Sequence, residues 1–197
     1  MLLQAQLKAL LREGARGAER YDVRHTQRSW RQFAAFAYVV EQYGYRYAGL
    51  SPLSPKGSPN PYFAFRRMPD AAERAARTAA LHPDALNGGP LPGMRPGGRR
   101  LEPLPEARRE VDLLHARIMV DHSRTHRRRG LILLLVLPLV MLIPLSQTGF
   151  SGGALLVCAG VWLFFAVLWG LGLLIARRRR RRYGRVLEEA GIVWPPA

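Results

Sequence analysis

The chain has 197 residues, 48% of them hydrophobic, and a formal net charge of +16. That length suits one small folded unit plus membrane segments and leaves little room for a large enzyme core. Of the 30 basic residues only Lys8 and Lys56 are lysine, so 28 are arginine, a usage that resembles GC-rich bacterial genomes and weakens the charge as evidence for a polyanionic partner.

The single cysteine, Cys158, sits in an apolar run, which excludes an intramolecular disulfide and a cysteine-based metal site. The first residues lack the basic n-region and continuous apolar stretch of a cleavable signal peptide. Leu3, Leu7, Leu10 and Leu11 share one helical face opposite Gln4, Lys8 and Arg12, so residues 2–13 are expected to form a short amphipathic helix. Its default role is to dock on its own domain, and its basic face would also suit an anionic lipid surface.

Residues 27–43 read as a helix that is apolar nearly all round, through Trp30, Phe33, Phe36, Ala37, Val39 and Val40, and Gly44 ends it. Two short aromatic segments follow, 45–50 and 62–67, separated by a Pro/Ser/Gly loop, and predict two strands of a long-looped hairpin. Asp70 with Glu73 resembles a capping box, opening an Ala-rich helix that runs to Leu81 and stops before Pro83. From Pro83 to Pro103 the chain carries five glycines and five prolines, the composition of a linker. Helical periodicity returns at 105–129, with Ala107, Val111, Leu114 and Ile118 on one side and Glu102, Glu106, Glu110, Asp112 and Asp121 as counter-charges to the arginines.

Two uncharged runs follow. The first, 130–150, reaches about 31 Å as a helix, just enough to cross a hydrocarbon core of about 30 Å, and Pro138 and Pro144 should kink it. The second, 153–176, carries Trp162, Phe164, Phe165 and Trp169 and reaches about 36 Å, so it should tilt. Arg127, Arg128 and Arg129 precede the first run, while Arg177, Arg178, Arg179, Arg180, Arg181 and Arg182 follow the second; the loop between the runs is uncharged. By the positive-inside rule both flanks belong in the cytoplasm, and the same arginines would meet anionic headgroups. Ala166 and Gly170 form a small-residue pair suited to close helix packing, either within the hairpin or between copies.

The expected fold class is therefore a mainly α membrane protein. It comprises a cytoplasmic α+β domain (helix, two short strands, helix) at 1–82, a linker at 83–104, a juxtamembrane basic helix at 105–129, a transmembrane hairpin at 130–150 and 153–176, and a polybasic tail at 177–197. The tail ends in Ile192, Val193, Trp194 and two prolines, which could rest at the membrane interface or offer a docking peptide.

Chemistry is sparse. His122 and His126 lie one helical turn apart with His115 seven residues earlier, but Ser123 stands where a zinc-protease pattern needs glutamate, and arginines crowd the segment, so no metal site is assigned. No phosphate-cradling glycine loop, nucleophile elbow or paired-carboxylate arrangement occurs, so no catalytic residue and no cofactor are assigned and the chain is not expected to be an enzyme. Trp30, Tyr45, Tyr47, Tyr62 and Phe65 are the aromatics expected to offer a partner surface; interleaved arginines could hold a nucleic acid, but no recognisable module accompanies them. The leading expectation is a membrane-anchored adaptor at the inner face of the cell membrane that binds a protein partner or large assembly. The alternative is a two-span, oligomeric pore-forming or membrane-disrupting effector.

Overall fold

A computed structural model of the chain describes residues 2–25, 29–55, 60–97, 100–125, 136, 140 and 152–194. Among these residues there are five α-helices and one three-stranded antiparallel sheet.

Helix α1 (Leu2–Ala15) buries Leu7 and Leu10 completely, the expected face, and so docks on its own domain. Next comes β1 (Arg20–Arg24), a strand the periodicity reading passed over. Helix α2 (Trp30–Gln42) opens at Ser29, whose hydroxyl accepts the backbone N–H of Gln32 at 3.3 Å, an N-cap that supplies one of the partners a first helical turn lacks. Phe33, Phe36, Val39 and Val40 are fully buried, which makes α2 a central core element. At its end Gly44 turns the chain with φ +89°, and an added Cβ would run into the Ala71 backbone, whose oxygen lies 2.8 Å away, so only glycine fits.

Strands β2 (Tyr45–Leu50) and β3 (Tyr62–Arg67) form where expected and pair antiparallel, with a bulge between Tyr47 and Gly49. They are not an isolated hairpin: β1 adds to the other edge of β3, giving the order β1-β3-β2. Period-two alternation points Val23, Tyr45, Tyr47, Phe63 and Phe65 inward, while Arg20, Arg24, Arg46 and Arg66 lie exposed on the other face. Phe33 of α2 meets Phe63 at 4.9 Å between centroids, and Phe36 sits edge-on to Phe65 at 6.2 Å.

Helix α3 (Ala71–Leu81) follows, but Asp70 makes no side-chain capping bond. Its carboxylate instead takes the Arg74 Nε–H at 2.6 Å, and Glu73 takes Arg77 at 2.6 Å, so the acids serve i,i+4 ion pairs rather than a reciprocal box. The Gly/Pro segment is structured in part: a 3-10 turn at Ala85–Asn87, a bridge between Met94 and Pro103, and burial of Ala85 and Met94 hold it against the domain.

Helix α4 (Pro105–Thr125) lays Val111, Leu114 and Ile118 into the shared core and buries Ala107 on the same side. This segment, expected as a juxtamembrane helix, thus contributes to the same apolar cluster as Phe33 and Tyr47. The long helix α5 (Gly152–Glu189) packs its C-terminal part on the far side of α4, with Leu187 buried beside Ala116 and Val120. Ser123 lies beside Ala176 and Arg177, whereas Asp112 lies beside Glu189, so α4 and α5 run antiparallel and the start of α5 projects beyond the α4 C-terminus.

Candidate functional site

The feature with the clearest physical demand is α5. It contains a stretch of mean hydropathy 2.3 with none of that stretch buried, and it is long and apolar enough to cross a membrane. Leu156 is 76% exposed and Phe164 60% exposed, an apolar surface that water tolerates poorly. Of the first apolar run only Val136 and Val140 are described, both helical and exposed; the rest of that run, with Arg127, Arg128, Arg129 and His126, lies outside the described residues.

No turn separates this apolar stretch from the arginine run. Arg177 to Arg182 continue the same helix, all exposed, and among the described residues none forms an ion pair. Arg177, Arg180, Arg181 and Arg185 line an open cavity of about 800 Å³ with Val120 and Trp194, placing several guanidinium groups where the apolar stretch gives way to the docked one. Flexible arginine stems there can reach an interface while their heads stay hydrated. Ala166 and Gly170 lie half-buried within the apolar stretch, and no group comes within 4 Å of a Cβ added at Gly170.

The end of α5 is fixed by a buried polar lock. After Glu189 the chain turns at Gly191, φ +70°, and brings Trp194 onto the core. The Trp194 indole N–H donates to Asp121 Oδ2 at 3.1 Å, and the Tyr47 hydroxyl donates to the same oxygen at 2.9 Å. The two rings stack at 5.7 Å, and the Arg117 guanidinium covers the indole at 5.5 Å. Burial first, and then the Asp121 charge, push the Tyr47 hydroxyl well above the usual phenol range, keeping it a donor. On the other side Glu41 accepts the Tyr47 backbone N–H at 3.1 Å. Burial raises the Glu41 carboxyl, an effect the Tyr47 N–H, Arg117 and Arg46 oppose in part.

Asp121 is therefore not a solvated counter-charge on a basic helix: it is 5% exposed and holds three elements together. Trp194 in the tail likewise does not stand free but packs against the core. Sequence reading missed this lock because a lone tryptophan after a glycine turn gives no local signal of a distant carboxylate.

The expected partner surface separates. Tyr45, Tyr47 and Phe65 are at most 2% exposed and belong to the core, because β2 and β3 turn these alternate positions towards α2 and α4. Trp30 and Tyr62 stay half-buried. Trp30 lies between His25 at 3.9 Å and His122 at 4.1 Å, whereas His115 sits edge-on to Tyr183, so His115 and His122 face different neighbours. Burial lowers His25, and burial together with Arg31 lowers His115, favouring neutral rings.

Comparisons with protein-family models, curated proteins and solved structures find no match to this chain.

Proposed function

We propose that the chain is a membrane-anchored adaptor. In this reading residues 130–150 and 153–176 form a two-helix transmembrane hairpin, both termini lie in the cytoplasm, and the folded part is presented at the inner face to bind a protein partner. The observation that supports it best is the continuity of α5. One helix joins an unburied apolar stretch of membrane-crossing length to a segment docked on the domain, with six arginines at the junction. Such a run of positive charge favours retention on the cytoplasmic side and attraction to anionic headgroups.

Reporter fusions test the topology. A cytoplasmic reporter fused after Ala197 should be active and the same reporter inserted at Gly149 inactive; the reverse pattern overturns the orientation. Affinity purification of the full chain from detergent-solubilised membranes should carry a reproducible stoichiometric cytoplasmic protein. Recovery of the chain with lipid alone, or collapse of the membrane potential on induction, would replace the adaptor with an anchor of no partner or with a pore.

A further inference from the structure

The open face of the sheet carries a row of like charges. Antiparallel register sets Arg20 of β1 opposite Arg66 of β3, and Arg66 opposite Arg46 of β2. Three arginines thus stand abreast at the strand spacing of about 4.8 Å, all exposed. Like charges directly opposite one another repel, and a sheet relieves such a row most simply by interposing a carboxylate. Arg20 pairs with Asp22 at 3.0 Å, and Arg46 at the other flank is close enough to Glu41 and Asp70 to lower their carboxyls. The Arg66 side chain, at the centre of the row, makes no hydrogen bond or ion pair among the described residues. Arg20 and Arg66 also converge with Arg67 on an open basin of about 840 Å³, with Glu19 as its acidic wall.

We propose that this row and basin form the docking site for an acidic segment of a soluble protein partner, whose carboxylates pair with Arg20, Arg66 and Arg46. Planar guanidinium groups take carboxylates through two parallel N–H···O bonds, so a row of them reads a row of acids. Position favours a soluble protein over a bilayer. The opposite end of the sheet, at Phe63, lies beside Trp30, which stacks on His122 near the α4 C-terminus where α5 projects outward. The arginine row is three strand positions further along, about 10 Å from that end. Chemistry favours protein over nucleic acid, since the ring on this face, Tyr62, pairs with Arg24 at the far end and leaves no platform beside the row for a base to stack on. The inference rests on the partner-binding half of the adaptor reading and names the partner's chemistry.

The test uses the full chain in detergent and a fluorescent deca-glutamate peptide, followed by anisotropy at low and moderate salt. Arg66→Glu should weaken binding by at least about tenfold, with Arg66→Ala intermediate, while Arg178→Glu in the polybasic run changes it less than about twofold. Arg66→Glu should melt no lower than the wild type, because it relieves repulsion within the row. Equal losses for Arg66→Glu and Arg178→Glu would reduce the effect to general attraction by a basic chain and overturn the site. Tighter Arg66-dependent binding of deca-uridylate, or Arg66-dependent binding to phosphatidylserine vesicles, would overturn it in favour of another polyanion. If Arg66→Glu leaves a co-purifying cytoplasmic partner bound, this site falls while the adaptor reading stands.

Discussion

Trp194 and Tyr47 stack ring on ring and donate to one oxygen of Asp121, so the end of the described chain is held to the second strand through a helix that neither belongs to. The lock satisfies two buried donors at once. Trp194→Ala should cost about 2 kcal/mol through lost stacking and burial, and Trp194→Phe about 1 kcal/mol because the N–H and part of the indole are lost while an aromatic ring stays against Tyr47. Asp121→Ala should cost more than either, about 3 kcal/mol, since it leaves the Tyr47 hydroxyl buried without its acceptor. Thermal unfolding in detergent measures all three. A Tyr47→Phe and Asp121→Ala double-mutant cycle should show strong coupling between those two side chains.

Glu41 makes stability depend on pH in an unusual direction. Its folded carboxyl is raised above the ordinary value, so the folded state binds the proton more tightly than the unfolded one. That contribution is full below the unfolded value of 4.5 and is lost as pH rises through the folded value. Glu41→Gln keeps an acceptor for the Tyr47 N–H but cannot ionise. The melting temperature of Glu41→Gln minus that of the wild type should therefore grow from pH 4 to pH 7.5; a constant difference would refute the assignment.

Gly44→Ala should be the costliest small substitution in the domain. A positive φ of +89° and the nearness of the Ala71 backbone act together, and roughly 2–3 kcal/mol of destabilisation is expected in thermal melts. Gly17, also at positive φ but with nothing within 4 Å of an added Cβ, should lose only about 1 kcal/mol on the same change.

Leu163→Arg probes the apolar part of α5. Leu163 is 59% exposed, so the substitution disturbs no core. An arginine near the centre of a membrane helix costs about 2.5–3.5 kcal/mol of insertion, and the variant should leave the membrane fraction more readily on alkaline extraction. Unchanged extraction would count against α5 as a span.

Much of this architecture was legible locally. Gly44 punctuates α2, and Phe63 and Phe65 alternate as a half-buried strand must. β1 was readable in principle, since Arg-Tyr-Asp-Val-Arg alternates strictly, but only Tyr21 and Val23 face inward and two apolar residues make a faint pattern. The partner surface failed for Tyr45, Tyr47 and Phe65 because aromatic composition does not say which face a strand turns to solvent. What sequence could not convey is register: the alignment of Arg20, Arg66 and Arg46 exists only once β1 and β2 have paired with β3. The convergence of Tyr47, Asp121 and Trp194 likewise depends on how three distant elements pack.

An unbroken α5 also acts as a lever. Its 38 residues measure about 57 Å from end to end, with the far portion clamped to α4 through Leu187, Tyr183 and Trp194. In a bilayer, thinning or thickening that changes the inclination of the apolar portion is not absorbed at a hinge but is passed to the clamped portion. The domain would then swing with the helix, and its outer sheet face with it.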